Sequence, residues 1–155
     1  VMEVTYRKIL VPLDGSLFAE QALPHAEHLA KSLNARLVLM SCVEPYIVSL
    51  PAEPVVGAAY DITTDIDALE ADRKQYLDEV QSTLKQKGIS SEAVLRRGKA
   101  DDEILDLAEN ESVDLIVMTT HGRTGLLKLV YGSMAESVLH RSSQPVLLIR
   151  AKQSE

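Results

Sequence analysis

Five short apolar runs, Ile9 to Leu13, Leu37 to Cys42, Ser91 to Leu95, Leu115 to Met118 and Val146 to Ile149, constrain the chain more than any other feature. Their length and their wealth of Val, Ile and Leu read as strands. Four are near-continuous rather than alternating, the pattern of parallel strands covered by helices on both faces. The third carries Glu92 and Ala93, is more mixed, and is expected near a sheet edge.

Parallel neighbours need crossovers, and helical periods occupy the gaps. From Ser16 to Leu33 the residues Ala19, Ala22, Leu23, Ala26, Leu29, Ala30 and Leu33 recur at three and four, with Ser16 as N-cap. Pro24 interrupts this run and should kink the helix. Ile66, Leu69, Arg73, Tyr76, Leu77, Val80 and Leu84 form a second amphipathic stripe, which Gly88 closes as a C′ residue. Asp101 and Asp102 open a third helix through Asn110, their charge matching the positive end of its dipole. Ser133-Met134-Ala135-Glu136 has the S-x-x-E form of a capping box and begins a fourth helix that stops before Pro145. The order βαβαβαβαβ predicts a single domain over residues 1–155, an α/β doubly wound sheet of five parallel strands with right-handed crossovers. The exception to this economy is 44–65, which holds Pro45, Pro51 and Pro54 and is expected to be a flexible loop.

Composition excludes several functions. Twenty-three acidic against 16 basic side chains give a net charge of −7, which argues against nucleic acid as a partner, because phosphate neutralisation needs clustered cations. Cys42 is the only cysteine, so no internal disulfide or multi-cysteine metal site can form. No apolar stretch approaches the ~20 residues of a membrane span. A cytoplasmic protein with no membrane partner is the expectation.

In open α/β sheets the ligand lies beyond the carboxyl ends of the strands, where strand order reverses. Pro12-Leu13-Asp14-Gly15-Ser16 follows the first strand and puts a carboxylate at that point. Met118-Thr119-Thr120-His121-Gly122-Arg123-Thr124-Gly125 follows the fourth, and the chain then returns through Lys128 to Gly132-Ser133 at a helix start. Glycines that let successive N–H groups converge, next to a helix N-terminus, suit a phosphate. They equally suit ordinary turns and a helix cap. Walker A is absent, since Gly98-Lys99-Ala100 lacks both the earlier glycine and the hydroxyl, and no G-x-G-x-x-G follows the first strand.

Taken together, Lys8 to Ser16, Asp114 to Met118, His121 to Gly125, Gly132-Ser133 and Gln144 to Arg150 resemble the universal stress protein family across nearly the whole chain. The resemblance implies a sheet ordered 3-2-1-4-5 of the adenine nucleotide alpha hydrolase-like type. Its nucleotide-binding branch carries G-x2-G-x9-G-[ST]. Gly122, Gly132 and Ser133 match, while Thr119 stands where the first glycine would be, able to crowd the sugar or to bond to it. The resemblance further implies ATP, or ADP or AMP, as ligand, with any Mg²⁺ carried by the nucleotide. Asp14 would take the ribose hydroxyls, and Pro12, Leu13 and Val43 would border the adenine with the Arg97-Gly98 turn. Met118, Thr119, His121 and Gly125 complete the candidate site, and Gly122, Arg123, Gly132, Ser133 and Met134 would hold the phosphates.

The expected activity is binding during a stress response, with no catalytic residue assigned. Arg123 and Lys128 supply charge for a slow ATP hydrolase, but no carboxylate follows them in the loop to act as base. A nucleotide-independent dimeric interaction protein is the other alternative. A phosphoacceptor receiver domain is disfavoured because Asp14 stands alone and the third strand leads into Arg96-Arg97. His25 and His28 lack a third ligand and read as a helix face, as do Asp72-Arg73-Lys74, Asp78-Glu79 and Lys85 to Lys87. The edge strand Val146 to Ile149 is open and apolar, which points to a homodimer paired through it.

Overall fold

The computed structural model describes residues 2–45, 62–120 and 132–152, and of 62–65 the backbone alone. The elements are β1 (Lys8–Pro12), α1 (Leu17–Glu20), α2 (Leu23–Leu33), β2 (Arg36–Val43), α3 (Ile62–Gln86), β3 (Ser91–Arg97), α4 (Ala100–Asn110), β4 (Leu115–Thr119), α5 (Ser133–Arg141) and β5 (Val146–Ile149). Every strand pairing is parallel and the order is β3-β2-β1-β4-β5, so all five apolar runs became strands in the expected doubly wound sheet. The mixed run, β3, does lie at an edge.

Alternation along each strand divides the core in two. Ile9, Val11, Leu37, Leu39 and Val117 pack against Ala19 of α1, Ala22 between the first two helices, Ala26 and Ala30 of α2, and Leu77 and Leu84 of α3. Leu10, Val38, Met40, Ile116 and Met118 face Ile104 and Leu107 of α4 and Ala135 and Val138 of α5. A fully buried Leu or Ile contributes about 1.5–3 kcal/mol relative to exposure, so helices on both faces are what make continuous apolar strands favourable. The carboxylate of Asp114 accepts from the backbone N–H groups of Arg7 at 2.7 Å and Lys8 at 2.9 Å, fixing the start of β4 to the start of β1.

Pro24 has a larger effect than the expected kink. It divides the first helical period into α1 and α2, because it cannot donate back to Glu20. Gln21 and Ala22 bond three residues back, to Phe18 and Ala19, and α2 restarts with Pro24 in its first turn, where a missing donor costs nothing. The end of α3 is as the sequence indicates. Gly88 has φ +76°, and Ile89 N donates to Leu84 O at 3.0 Å, closing a Schellman turn. Helix α3 starts at Ile62, earlier than expected, while residues 46–61 of the expected loop lie outside the described residues.

Not all of α3's charge is solvated. Arg73 is 7% exposed and its Nη1 donates to the buried Ser41 hydroxyl of β2 at 3.2 Å. It sits on the apolar stripe, so the periodicity identifies its face correctly and its charge misleads. Lys74 does pair with Asp78 at 2.7 Å on the exposed side.

Candidate nucleotide crevice

Strand order reverses between β1 and β4, and the next described helices, α1 and α5, pack on opposite faces of the sheet. A cleft of ≈ 440 Å³, including space open to solvent, lies there. Its floor comes from Pro12 and Leu13 after β1, Met40 and Cys42 of β2, and Met118 and Thr119 of β4. Ala100 and Ile104 of α4 and Met134 of α5 wall one side, and Asp14 with Ala19 closes another. Met40 and Cys42 are two apart on β2, so they share a face; this pair was missed in the sequence although the period of two contains it.

Asp14 is held in a defined turn. Its Oδ1 accepts from Ser16 N at 2.9 Å, while the Ser16 hydroxyl caps α1 by accepting from Ala19 N at 3.1 Å. Leu13 N donates to Met40 O at 2.8 Å and extends the β1–β2 ladder to the cleft. Behind this turn, Tyr76 of α3 donates its hydroxyl to Glu20 of α1 at 2.9 Å. Burial first, and then that bond to a carboxylate, push the phenol well above its ordinary pKa.

The opposite lip is formed where β4 ends. Gly132 N donates to Thr120 O at 2.7 Å, so the end of β4 and the start of α5 are joined directly. Thr120 N also donates to Ile149 O at 2.9 Å, joining this point to β5. Here the expected capping box is corrected. The N-cap of α5 is Gly132, with φ −68° and ψ 153°, and Ser133 is already helical. A hydroxyl at N1 does not reach the first-turn N–H groups as an N-cap does, and α5 starts with no side-chain cap bond.

A second, more polar compartment adjoins the cleft and shares Ala100 and Met134 with it. Glu44, Lys99, Asp101, Ser133 and Ser137 line it. Asp101 is buried, and does more than complement the dipole of α4. It accepts from the Ser137 hydroxyl at 2.7 Å and lies 3.4 Å from both Lys99 Nζ and Arg141 Nη1. Burial disfavours its charge, but the Ser137 hydroxyl and Lys99 outweigh this and hold its carboxyl below the usual range. Asp101 thereby ties α4 to α5, the helix that carries Ser133 and Met134.

Of the sequence-derived candidates, Pro12, Leu13, Asp14, Met118, Thr119 and Met134 converge on the cleft, and Ser133 on the adjoining compartment. Val43 and Gly98 do not line either space. Gly98 N donates to Val43 O at 3.0 Å, so the two seal the β2–β3 end together. Arg97 turns away to Glu70 and Asp67 of α3, the latter at 3.0 Å. His121, Gly122, Arg123 and Gly125 lie outside the described residues. His25 and His28 line a separate apolar groove with Pro24, Leu29 and Leu147, which shares no residue with the cleft. Burial, then the nearby Glu103 charge, push the Cys42 thiol up to about 12, so it stays protonated.

An open, doubly wound α/β sheet with an apolar cleft at its switch point, a carboxylate on one lip and a helix N-terminus on the other defines a class of small-ligand-binding domains. Within that class the universal stress protein family model matches residues 5–150, and the chain belongs to that family of stress-response proteins. Universal stress proteins MJ0531 and MJ0577 of Methanocaldococcus jannaschii are 32% and 31% identical to it; the alignments cover 99% of this chain and 87% and 100% of theirs. The solved structure of MJ0577 superposes with a TM-score of 0.85 at 28% identity, over 97% of this chain and 100% of that one. A universal stress protein in complex with cAMP shares the fold at 23% identity and a TM-score of 0.65, over 94% of this chain and 98% of its own. No described helix is long and apolar enough to cross a membrane.

Proposed function

We propose that the crevice binds an adenine nucleotide, ATP foremost, and that occupancy rather than turnover is the protein's output in a stress response. The observation that carries this is the division of the crevice into unlike parts. An apolar slot of Pro12, Leu13, Met40, Ile104 and Met118 suits a purine ring, and thioethers pack well against aromatic faces. The Asp14 carboxylate at its edge accepts hydroxyl donors and repels phosphate, so it belongs with a ribose. Across the slot, the uncapped start of α5 presents first-turn backbone donors suited to phosphates, and the Gly132 N to Thr120 O bond fixes that start against the end of β4. The residues present therefore fit the ligand, and the family relative in complex with cAMP is in keeping with it.

In this reading Thr119, buried at the end of β4 where the family motif has glycine, borders the sugar. Gly132, Ser133 and Met134 border the phosphates, joined by His121, Gly122, Arg123 and Gly125. The adenine edge lies over Met40 and Cys42, with Val43 and Gly98 stiffening the strand ends beneath it. Any Mg²⁺ arrives with the nucleotide, and the stretch that follows β4 carries no carboxylate to act as an efficient hydrolytic base.

The second element of the proposal is a homodimer through β5. Ile116 N and Thr120 N donate to Pro145 O and Ile149 O, so Val146 and Leu148 turn their own backbone groups toward the open edge. Leu147, 37% exposed, lies in the apolar groove beside that edge. Antiparallel pairing with a second copy satisfies the edge.

Calorimetric titration of the protein with ATP, ADP and AMP tests the ligand. Saturable binding that Asp14→Ala weakens at least about tenfold, as loss of a charge-assisted hydrogen bond predicts, supports the reading. No heat at millimolar nucleotide overturns it.

A further inference from the structure

The chain holds four methionines and one cysteine, and Met40, Cys42, Met118 and Met134 all line the same cleft. Only Met2, 92% exposed, lies elsewhere. These four cleft sulfurs are not equivalent. Met40 and Met118 are each 1% exposed at the floor. Met134 lies at the N-terminal turn of α5, partly exposed, lining both the apolar cleft and the polar compartment. Cys42 is kept as the thiol by burial, and a thiol reacts with peroxide far more slowly than a thiolate. A thioether needs no deprotonation, so it retains its reactivity in the same surroundings.

We propose that Met134 is an oxidative modification site, at which a hydroperoxide converts the thioether to the sulfoxide and so closes the cleft to an aromatic ring. The step balances: the sulfur lone pair attacks one oxygen of hydrogen peroxide, the O–O bond breaks, the leaving hydroxide takes the proton from the transferred oxygen, and sulfur is oxidised by two electrons. Hydrogen peroxide is reduced to water, and the sulfoxide is restorable by a methionine sulfoxide reductase. The product places a strong S=O acceptor beside the Ile104 and Leu107 side chains, which have no donor, and it stiffens and enlarges a side chain that packs against α4. Ligand occupancy protects the sulfur in turn, since the two compete for one space. The effect on affinity rests on the nucleotide reading above; the selectivity of oxidation does not.

The test is peroxide treatment of the intact protein, quenching with free methionine, and peptide mapping of each sulfoxide over time. Met2 serves as the exposed internal standard. Met134 is expected to follow Met2 and to precede Met40 and Met118 by at least about tenfold in rate, with Cys42 unmodified. The singly oxidised protein should lose at least roughly fivefold in ATP affinity, the range for an unpaired polar group in an apolar site. Met134→Leu should show no change in its own affinity on the same treatment, and Met134→Gln should bind weakly before any treatment. Oxidation of Met40 or Met118 at the rate of Met134 overturns the assignment, and so does full ATP affinity in protein oxidised at Met134. If the reduced protein binds no adenine nucleotide while Met134 is still selectively oxidised, the nucleotide reading and the proposed closure fail together and the selectivity alone stands.

Discussion

Replacing Asp101 by alanine should loosen the whole α5 side of the crevice. The side chain is buried, accepts a 2.7 Å bond from Ser137 and has two cations at 3.4 Å. A hydrogen bond to a charged group is worth about 1.5–3 kcal/mol. Lys99 and Arg141 are half or more exposed and rehydrate when the carboxylate goes, and the Ser137 hydroxyl can rotate. The loss should therefore be about 2 kcal/mol at neutral pH, which for a chain of this size lowers Tm by roughly 4–8 °C. Its pH dependence has a definite sign. The folded carboxyl titrates below its unfolded value of roughly 3.9, so its stabilisation is complete above that value and disappears as pH falls through the lower, folded value. Urea unfolding of wild type and Asp101→Ala should differ by the full amount at pH 7 and converge in acid. Asp101→Asn, which keeps an acceptor, should lie between them at pH 7. A variant within 0.5 kcal/mol of wild type at pH 7, the range of an ordinary surface change, would refute the claim that Asp101 ties α4 to α5.

Two glycines with positive φ differ in what surrounds them. Gly88→Ala meets nothing within 4 Å and should cost only the left-handed backbone term, about 1–2 kcal/mol by thermal unfolding. Gly98→Ala has φ +142°, a backbone that L residues rarely adopt, and also has to displace the Glu103 side chain, whose Oε1 lies 2.7 Å from the new Cβ, so it should cost more than Gly88→Ala. Leu148→Pro removes an outward-facing N–H of β5 and no ladder bond, so sedimentation should show a dimer for wild type, as proposed, and folded monomers for the variant; a dimeric variant places the interface elsewhere. Ser133→Ala should change stability by less than 0.5 kcal/mol, since that hydroxyl is not the cap of α5.

The fold was legible because apolar runs and three-to-four periods are one-dimensional records of burial. The strands lie within two residues of where the sequence puts them, and Gly88 ends α3 in the expected left-handed turn. What escaped depends on three-dimensional neighbours. Asp101 reads locally as a dipole partner, and only the arrival of α5 brings Ser137 and Arg141 to it. Arg73 reads as a surface charge until Ser41 of β2 receives it. Ser133-x-x-Glu136 fits a capping box, but Gly132 takes the extended cap conformation first. The crevice was half legible: residues at strand ends were found from topology, whereas Met40, Cys42 and Ile104 needed the packing of β2 and α4. Val43 and Gly98 bond to each other at the strand ends and do not line the cleft.

A nucleotide seated over the carboxyl ends of β1 and β4, as proposed, would lie against the cleft methionines, whose methyl groups report it. With ¹³C-methyl-labelled methionine, titration with ATP should shift the signals of Met40, Met118 and Met134 along one saturation curve and leave that of Met2 in place. Saturable ATP binding that leaves those three signals unmoved would put the ligand elsewhere on the protein.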